Sequence, residues 1–389
     1  MDSIQIRALR NGLVAAVITL AAGFGLNALF TSEPTVSARD HAPTQTPLPL
    51  RCRPTFEQLE RTLTRGVGGT VLGLAATDQG DAWAVGYTGA PEAASLTSIA
   101  RWNGRAWERV KGPDTAIVDV LTDVDAVTGG VAWAAGWSRD AGPPSGLLAR
   151  WDGKTWAEIA APRAASGLTL TGVAVVSDDT VWAVGYTGDP EDGAEHAVVV
   201  LWDGSSTRTV PVPVGAGRSA LHAIDAAGPG DVWAVGYHRN TPLVLRYDGS
   251  AWQRVLDVEA RGGLASVSVA GPTEAWAVGR SVLRWDGTVW TEVGPLPGNV
   301  NATAVSASGP GRAWIVGVAG TDERPRSVVV QATADQLSKP AAVTVPGAET
   351  LTSVVAVGDI AWSAGYRETE AAISPVFGRL IGCETPAQT

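Results

Sequence analysis

This chain of 389 residues has few of the side chains that most often carry out chemistry, with two cysteines and four histidines in all. They do not fall into His-x-His, HExxH or paired-cysteine spacings, which are the patterns that metal sites use. A G-x-S-x-G nucleophile elbow and a glycine-rich phosphate loop are missing as well. The sequence therefore predicts no resident metal or organic cofactor, and it argues against a zinc enzyme, an α/β-hydrolase or a P-loop NTPase.

Positive charge is also in the minority. The 29 Lys and Arg are outnumbered by 39 Asp and Glu, which gives a net charge of −10. Proteins that bind nucleic acid cluster Lys and Arg against the phosphates, so this balance argues against a nucleic-acid partner. Charged residues make up only 17% of the chain, whereas there are 46 Gly and 16 Trp. This mixture favours many short strands joined by tight turns over a helical protein.

Only one apolar run is long enough to cross a membrane, and it lies near the N-terminus. Residues 12–30 are almost entirely apolar, close to the ~20 residues that a spanning helix needs. Arg7 and Arg10 precede this run, so the positive-inside rule places residues 1–11 in the cytoplasm and the rest of the chain outside. The sequence thus predicts an uncleaved single-span signal-anchor that tethers the protein to the cell membrane.

A cleaved signal peptide is the alternative for the same segment. The small residues at Val36–Ala38 would serve as its cleavage site, although they lie well beyond the apolar run, and cleavage would make the protein secreted. The next segment, residues 31–50, is rich in proline and has no apolar periodicity, which is typical of an extended linker. Both alternatives place residue 51 onwards outside the cytoplasm.

From about residue 70 onwards, the chain repeats one short motif of the form WAVG or a close variant. The tryptophans of the seven copies are Trp83, Trp133, Trp182, Trp233, Trp276, Trp314 and Trp362. Seven strand-rich units of about 40–50 residues are the sequence signature of a β-propeller. Residues 51–385 are therefore predicted to form one all-β, seven-bladed propeller of four-stranded blades, followed by a short tail at residues 386–389.

Each unit divides into four strands, of which the second carries the WAVG motif. The third and fourth strands are joined by an Asp-Gly or Asn-Gly step, which favours a two-residue hairpin. This turn predicts that Trp151 faces Lys154, and that Ala149 faces Trp156. In that register Trp151 and Trp156 share one face of the blade, where their regular recurrence favours packing against the next blade over a sugar-binding platform.

The first strand of each unit has, at one fixed position, a residue that is small in nearly every unit. These residues are Gly73, Asp123, Gly172, Ala223, Ser266, Ala304 and Ser353. The innermost strands of a propeller converge on its axis, where side chains have little room. The first strand of each unit is therefore predicted to be the inner one.

The two ends of the chain complement each other. The segment Pro54–Leu59 has the pattern of a fourth strand without the three strands before it, and the seventh unit stops after its third strand. The N-terminal strand is therefore predicted to complete the last blade and close the ring. Cys52 and Cys383 fall at the matching ends of these two strands. A disulfide between them is the preferred interpretation, over two free thiols or half of a metal site.

Units of the form DVWAVGY followed by RYDGSAW resemble the repeats of secreted bacterial β-propellers, of the galactose-oxidase-central-domain-like or sialidase-like kind. The resemblance covers residues 51–383 and implies the fold, while propellers host many unrelated activities. The chain departs from the S-x-D-x-G-x-x-W box of sialidases, from the double glycine of kelch repeats and from the Gly-His of WD-repeats. No active residue of those families is carried over to this chain.

The loops between second and third strands vary in length and carry most of the charge outside the repeat. In propellers these loops gather on one face, and function is found more often on variable loops than on a repeated scaffold. The candidate binding residues are Asp189, Glu191, Asp192, Glu195, His196, His238, Arg239, Asp322, Glu323, Arg324, Arg326 and Arg367. The alternative is that these charged residues only keep the loop tips solvated and bind no partner. Binding of a calcium ion by the loop at residues 187–196 is a further alternative, although the spacing of the acidic residues in this loop matches no recognised oxygen cage.

A second group of polar residues lies on the predicted inner strands. Asp123, Asp125, His222 and Asp225 would reach the axial channel, where paired carboxylates beside a histidine are suited to acid–base chemistry. Holding channel water or capping a turn is the alternative use of these side chains. A hydrolase acting on glycans would need these carboxylates close together beside an open pocket.

Together these features favour a membrane-tethered binding or scaffold module outside the cytoplasm, without catalytic activity, whose partner is a protein or a glycan. Two other functions stay open. One is the glycan-acting hydrolase, with its carboxylates at the channel mouth. The other is a structural subunit of an envelope complex.

Replacing Cys52 by Ser is expected to lower the melting temperature under non-reducing conditions. The predicted disulfide closes nearly the whole propeller, and the chain-entropy model sets an upper bound of about 5–6 kcal/mol for so long a loop. Thermal unfolding with and without reductant measures the effect, because only the wild type should lose stability on reduction. An unchanged melting temperature in the variant contradicts the disulfide.

Overall fold

The computed structural model describes part of the chain, and everything that it describes is β-structure, turn or loop. The described residues are 54–59, 69–77, 80–88, 96–113, 118–127, 129–139, 142–164, 166–255, 262–296, 300–320, 326–342, 348–357, 360–368 and 373–381. Their strands form seven separate antiparallel sheets, one for each predicted blade. The all-β, seven-bladed propeller is confirmed.

The strands follow one another around the ring in chain order, after an opening strand β1 (Thr55–Gln58). Blade 1 consists of β2 (Thr70–Ala76), β3 (Ala82–Thr88), β4 (Leu96–Trp102) and β5 (Trp107–Val110). Blade 2 consists of β6 (Val118–Val127), β7 (Val131–Arg139), β8 (Ser145–Trp151) and β9 (Trp156–Ala160). Blade 3 consists of β10 (Leu168–Ser177), β11 (Thr180–Thr187), β12 (His196–Trp202) and β13 (Thr207–Val210).

The remaining blades repeat this order, with one variation at the outer strand of blade 6. Blade 4 consists of β14 (Ser219–Gly228), β15 (Asp231–His238), β16 (Thr241–Tyr247) and β17 (Trp252–Arg254). Blade 5 consists of β18 (Leu264–Gly271), β19 (Glu274–Gly279), β20 (Ser281–Trp285) and β21 (Trp290–Pro295). Blade 6 consists of β22 (Asn301–Gly309), β23 (Arg312–Ala319) and β24 (Arg326–Thr333), with β25 (Gln336–Leu337) and β26 (Ala341–Ala342) sharing its outer position. Blade 7 begins with β27 (Ala348–Val357), β28 (Ile360–Glu368) and β29 (Ile373–Ile381).

The first strand of each blade is the inner strand, as the small residues predict. A Cβ added to Gly73 would lie 2.8 Å from the Cα of Asp123 in the next blade, so there is no room for a side chain. Just before each small residue the pairing with the second strand skips one residue, which in blade 2 is Thr122. Such a β-bulge bends the strand and re-aims its side chain, and the Thr122 hydroxyl donates to the carbonyl of Leu170 in blade 3 at 3.0 Å. The same bridge is made by Thr171, Thr303 and Thr352.

The WAVG tryptophans provide the packing between blades. Trp83 of blade 1 meets Trp151 and Trp156 of blade 2 edge-on, with ring centroids 5.0 and 5.3 Å apart. The arrangement recurs where Trp182 meets Tyr247 and Trp252, and where Trp233 meets Trp285 and Trp290. Aromatic rings in this geometry bury a large apolar area and interact favourably at their edges. The aromatic stripe is therefore interblade core, as predicted.

The hairpins between third and fourth strands differ from the predicted two-residue turn. Trp151 pairs directly with Trp156 and not with Lys154, so the predicted register was wrong. The carboxylate of Asp152 accepts the backbone N–H groups two and three residues further on, at 2.8 and 2.7 Å. Only Gly153 in this loop has a positive φ, of +97°, whereas the type I′ two-residue turn favoured by Asp-Gly needs a positive φ at both loop residues. The tryptophans still share a face, because directly paired residues lie on the same side of a sheet.

The ring is closed by the N-terminal strand, as predicted. β1 pairs antiparallel with β29, with Thr55 opposite Ile381 and Phe56 opposite Leu380, so blade 7 has the strand order β27-β28-β29-β1. The Phe56 side chain packs against the hydrophobic cluster that contains Leu380 and Trp314 and joins blades 6 and 7. The last blade is thus assembled from both ends of the domain.

Several predictions about the chain ends concern residues outside the described ranges. They are the cytoplasmic tail at residues 1–11, the signal-anchor at 12–30, the linker at 31–50, the tail at 386–389, and the cysteines Cys52 and Cys383. Within the described ranges, no helix has the length and hydropathy needed to cross a membrane.

Replacing Phe56 by Ala is expected to lower the free energy of unfolding by about 2–3 kcal/mol, just below the range for a fully buried Phe because Phe56 is half-buried. Chemical denaturation measures the change. Val289, whose side chain is 52% exposed, provides the control, since its replacement by Ala should change stability by less than about 0.5 kcal/mol. Equal stability of the Phe56 variant and wild type would show that β1 does not hold the ring closed.

Candidate functional site

The loops of the ring lie on two faces. The first residue of β14 in blade 4, Ser219, is opposite the last residue of β15, His238. The connection from blade 3 at residues 211–218 therefore lies beside the loop that joins β15 and β16. We call this side of the ring the loop face. The tight turns between third and fourth strands, such as the one at Asp152, are on the opposite face.

On the loop face of blade 3, three predicted binding residues form an exposed acidic group. Asp189, Glu191 and Asp192, which we call the acidic arm, lie in the loop between β11 and β12 and are all exposed. Asp189 Oδ1 accepts the backbone N–H of Glu191 at 2.9 Å, which fixes the turn. None of the three carboxylates forms an ion pair with another described residue. His196, at the start of β12, is exposed beside them.

Glu195, from the same loop, has a different environment. It is 3% exposed, and its two carboxylate oxygens accept hydrogen bonds from Arg218 of blade 4, both at 2.7 Å. The hydroxyl of Tyr237 donates to it as well, at 2.8 Å. Bidentate pairing between arginine and a carboxylate is strong and fixes geometry. Glu195 therefore joins blades 3 and 4 and has no oxygen left on the surface for a partner.

On the loop face of blade 4, a basic group surrounds the connection from blade 3. His238, Arg239 and Arg254, which we call the basic arm, are held by Ala216 and by one another. His238 Nε2 and Arg239 Nη2 donate to the carbonyl of Ala216 at 3.1 and 3.2 Å. The other imidazole nitrogen, Nδ1, then accepts from Arg254 Nη1 at 3.4 Å. Neither Arg239 nor Arg254 pairs with a carboxylate of the described residues.

The other predicted loop residues are elsewhere on the ring. Arg326 is exposed at the start of β24 in blade 6, and Arg367 is half-buried near the end of β28 in blade 7. Blades 6 and 7 are not neighbours of blades 3 and 4. Asp322, Glu323 and Arg324 lie outside the described residues. Among the described candidates, the structure therefore brings together the residues of blades 3 and 4.

The axis of the ring holds a cavity of about 290 Å³, which the inner strands of all seven blades line. Asp123, Asp125, His222 and Asp225 are all in its wall. The structure thus places the four predicted channel residues around one space. Their hydrogen bonds determine what they can do there.

Every oxygen of the three carboxylates accepts a backbone hydrogen bond. Asp123 accepts one from Val124 of its own strand at 2.9 Å and one from Val173 of blade 3 at 3.0 Å. Asp125 and Asp225 do the same, each with the next residue of its own strand and with the inner strand of the following blade. The inner strand is the edge of its sheet, where N–H groups on the open side have no strand partner. These carboxylates provide that partner.

The position of the aspartates around the ring follows from the same requirement. In blades 5, 6 and 7, serine hydroxyl oxygens at the equivalent positions accept the N–H of the following blade; they are Ser266, Ser268, Ser306 and Ser353. In blades 1 and 3 these positions hold Gly73, Ala75, Gly172 and Ala174, which offer no side-chain acceptor. Blades 2 and 4, which follow them, are the blades with aspartate. A carboxylate has two oxygens, so it serves its own strand and the next one.

Burial changes the protonation of these aspartates. It raises the pKa of Asp123 and of Asp225 to about 7, with added repulsion from neighbouring carboxylates. Burial also raises the pKa of Asp125 to about 6, and for all three the backbone hydrogen bonds act in the opposite direction. The three carboxyl groups are therefore harder to ionise than exposed aspartates, and their hydrogen bonds are made to the backbone of the ring. Within the described residues, no three His, Cys, Asp or Glu side chains are arranged to hold a metal ion.

His222 occupies the bulged position that threonine has in four other blades. Its Nδ1 donates to the carbonyl of Leu264 in blade 5 at 2.9 Å, and its ring lies 5.5 Å from that of Tyr237. Burial lowers the pKa of His222, which keeps the imidazole neutral. It therefore bridges blades 4 and 5 as the threonines bridge theirs.

Sequence reasoning did not identify Arg218, Tyr237 or Arg254 as part of this site. Arg218 directly precedes an inner strand, and Arg254 ends an outer strand, so both lie in connections between blades. The binding candidates predicted from the sequence lie only in the loops between second and third strands. The predicted strand order could have identified Arg218 and Arg254. In a four-stranded antiparallel blade, the connection to the next blade lies on the same face as the loop between the second and third strands.

Comparison with known proteins gives the fold. No protein-family model and no curated protein matches the chain. Among solved structures, the WD40 repeats of RRP9 match with a TM-score of 0.56 and 13% identity, over 85% of this chain and 98% of that one. The structure of U3-55K matches with a TM-score of 0.56 and 12% identity, over 85% and 99%. YCF48 from Cyanidioschyzon merolae matches with a TM-score of 0.55 and 12% identity, over 84% and 98%.

Likeness at this level of identity shows a shared propeller fold and carries no conclusion about activity. Membership of the galactose-oxidase-like or sialidase-like propellers is more specific than a shared fold, and it stays a prediction.

The free energy of unfolding is expected to fall as the pH rises from about 4, the ordinary pKa of aspartate, to about 7. In this window the folded protein retains protons on Asp123, Asp125 and Asp225 that the unfolded chain has released. Their contribution is complete below the unfolded pKa and is lost as the pH passes the folded values, at about 1.4 kcal/mol per pH unit for each such proton. The double variant Asp123→Ser, Asp225→Ser should show a flatter profile.

Denaturant unfolding at a series of pH values measures these slopes, and Asp203→Ser serves as the control. Asp203 is exposed, and backbone hydrogen bonds, chiefly from Ser206, lower its pKa to about 2, outside the window. Its variant should therefore keep the wild-type slope. If the double variant also keeps that slope, the cavity carboxyls do not titrate as described.

Proposed function

We propose that this protein is a non-catalytic binding module that engages a protein partner through the loop face of blades 3 and 4. The observation that carries this proposal is the acidic arm and the basic arm, side by side and without partners of opposite charge among the described residues. Charged groups left unpaired on a folded surface are available to steer and orient a partner. A face with both signs of charge also selects its partner by pattern and not by net charge alone.

The scaffold beneath the two arms is held together by hydrogen bonds between blades. The buried Glu195 accepts from Arg218 and Tyr237 and so links the two blades directly under the loop face. A preorganised surface loses less conformational entropy on binding than a mobile one. The loops are therefore held in place before a partner arrives.

The described surface also favours a polar contact over an apolar one. Val289 and Ile381 are the exposed large hydrophobic residues of the described ranges, and neither is on the loop face of blades 3 and 4. Permanent interfaces are richer in apolar surface than this. The proposed interaction is thus a reversible one that depends on charge.

The hydrolase is the weaker proposal for the cavity. Asp123, Asp125 and Asp225 are close enough to influence one another's pKa, which glycan hydrolysis would require. Each carboxylate, however, accepts one backbone hydrogen bond from its own strand and one from the adjacent blade, so every oxygen already has a protein donor. A catalytic acid or nucleophile must direct an oxygen at its substrate, so we propose a structural role for these carboxylates.

We propose further that residues 12–30 anchor the module to the cell membrane, with the propeller on the outer side. The apolar run and the preceding Arg7 and Arg10 support this placement. The partner would then be a protein of the same envelope compartment. A disulfide between Cys52 and Cys383 agrees with such a location, and the pairing of Thr55 with Ile381 brings the adjoining strand ends together.

Charge reversal on either arm is expected to weaken partner binding about tenfold, as two or three exposed charge pairs together would allow. The variants are Arg239→Glu with Arg254→Glu, and Asp189→Lys with Glu191→Lys and Asp192→Lys. Proteins crosslinked to the full-length chain in an envelope fraction are identified and quantified for each variant. Binding should also weaken as salt is added, because exposed charges are screened.

The matched control reverses two exposed cations on the opposite face, Arg105→Glu and Lys154→Glu. It should retain the wild-type set of crosslinked proteins. If both arm variants retain that set too, the loop face of blades 3 and 4 is not the binding surface.

A further inference from the structure

We propose that the bound segment of the partner is a peptide with both signs of charge. Its acidic side chains lie on the basic arm, and its basic side chains lie on the acidic arm. This inference rests on the proposed function and specifies the chemistry of the partner at that site.

The two arms are adjacent parts of one surface. Glu195 ends the loop of the acidic arm and pairs with Arg218, and the backbone carbonyl of Arg218 accepts the N–H of Arg239 at 2.6 Å. Arg218 therefore connects both arms. Because Glu195 and Arg218 neutralise each other at the boundary, the uncompensated charge is negative on the blade 3 side and positive on the blade 4 side.

The conformation of Arg239 indicates that its side chain has a use. Arg239 and Asn240 are the two loop residues of a hairpin in which His238 pairs with Thr241. Arg239 has a φ of +58° and is the single residue other than glycine with a positive φ in the described ranges. A hairpin with positive φ at its first loop residue alone favours glycine there, and an arginine in this conformation lowers stability.

The position of the Arg239 side chain shows what it contributes. Its guanidinium donates to the carbonyl of Ala216, which holds it over the loop face near His238 and Arg254. Strained residues persist where function requires them, and a fixed, planar guanidinium suits a carboxylate. Arg239 is thus the residue that we expect to contact an acidic side chain of the peptide.

A uniformly negative chain does not fit this surface. A sulfated glycan, or a purely acidic peptide, that extends from the basic arm towards blade 3 would meet Asp189, Glu191 and Asp192 and be repelled. The net charge of −10 acts against it as well. A peptide that changes sign along its length matches both arms, and like-charge contacts would exclude other partners.

Selection of short random peptides displayed on phage against the full-length chain tests the inference. The selected peptides should contain an acidic cluster next to a basic one. Arg239→Gly is the decisive variant, since glycine fits the hairpin: its melting temperature should equal or exceed that of the wild type, while synthetic copies of the selected peptides bind about tenfold more weakly. Arg105→Gly, on the opposite face, should leave their affinity unchanged.

Three results would overturn the inference. The first is that no peptide is selected, or that the selected peptides are apolar or carry one sign of charge. The second is that Arg239→Gly binds them as well as the wild type does. The third is that heparin binds the wild type, loses affinity with Arg239→Gly and displaces the peptides, which would identify a polyanion site. In each case the proposed function still stands if reversal of either arm releases the crosslinked proteins, and it fails if reversal does not.

Discussion

The whole ring depends on how the open edge of each inner strand is satisfied. Seven sheets meet at the axis, and each presents backbone N–H groups that its own blade cannot pair. Side-chain oxygens supply partners for many of these groups, from serine in some blades and from aspartate in others, such as Asp123 and Asp225. In five of the blades the bulged residue of the inner strand, typified by Thr122, adds a bridge in the opposite sense, donating to a carbonyl of the next blade. Neighbouring blades are therefore joined by polar bonds at the axis and by tryptophan packing further out.

This arrangement separates the scaffold from the surface that can vary. The axial residues are committed to backbone hydrogen bonds, and the aromatic residues are committed to interblade packing. The charged side chains that take part in neither role are on the loop face, where the acidic and basic arms project from adjacent blades. Glu195 shows how closely the two parts are joined: it lies among surface acids in the sequence, yet in the structure it is part of the scaffold.

Sequence patterns predicted the features that repeat. The tryptophan of each WAVG motif, the small residue at the axis and the closing strand with Phe56 each have an equivalent in the pattern of other units, so their positions follow from periodicity. The register predicted for the hairpin at Asp152 was wrong, because the Asp152 carboxylate accepts backbone N–H groups of the loop and so stabilises a longer loop than the two-residue turn. The role of Asp225 could not be predicted, since its partner is a backbone N–H in another blade, and no linear pattern records that contact. The burial of Glu195 depends in the same way on Arg218, which is distant in sequence.

The pairing of β1 with β29 has a consequence for how the protein is made. β1 is the first strand of the domain to be synthesised and β29 is the last, so blade 7 cannot form until the entire ring has emerged. Contacts between such distant segments are costly in chain entropy and form late. Until β29 is present, the apolar side chain of Phe56 in β1 lacks the cluster against which it packs in the closed ring. The propeller can therefore close only after β29 has been synthesised, and a chain truncated before β29 leaves Phe56 without the strand against which it packs.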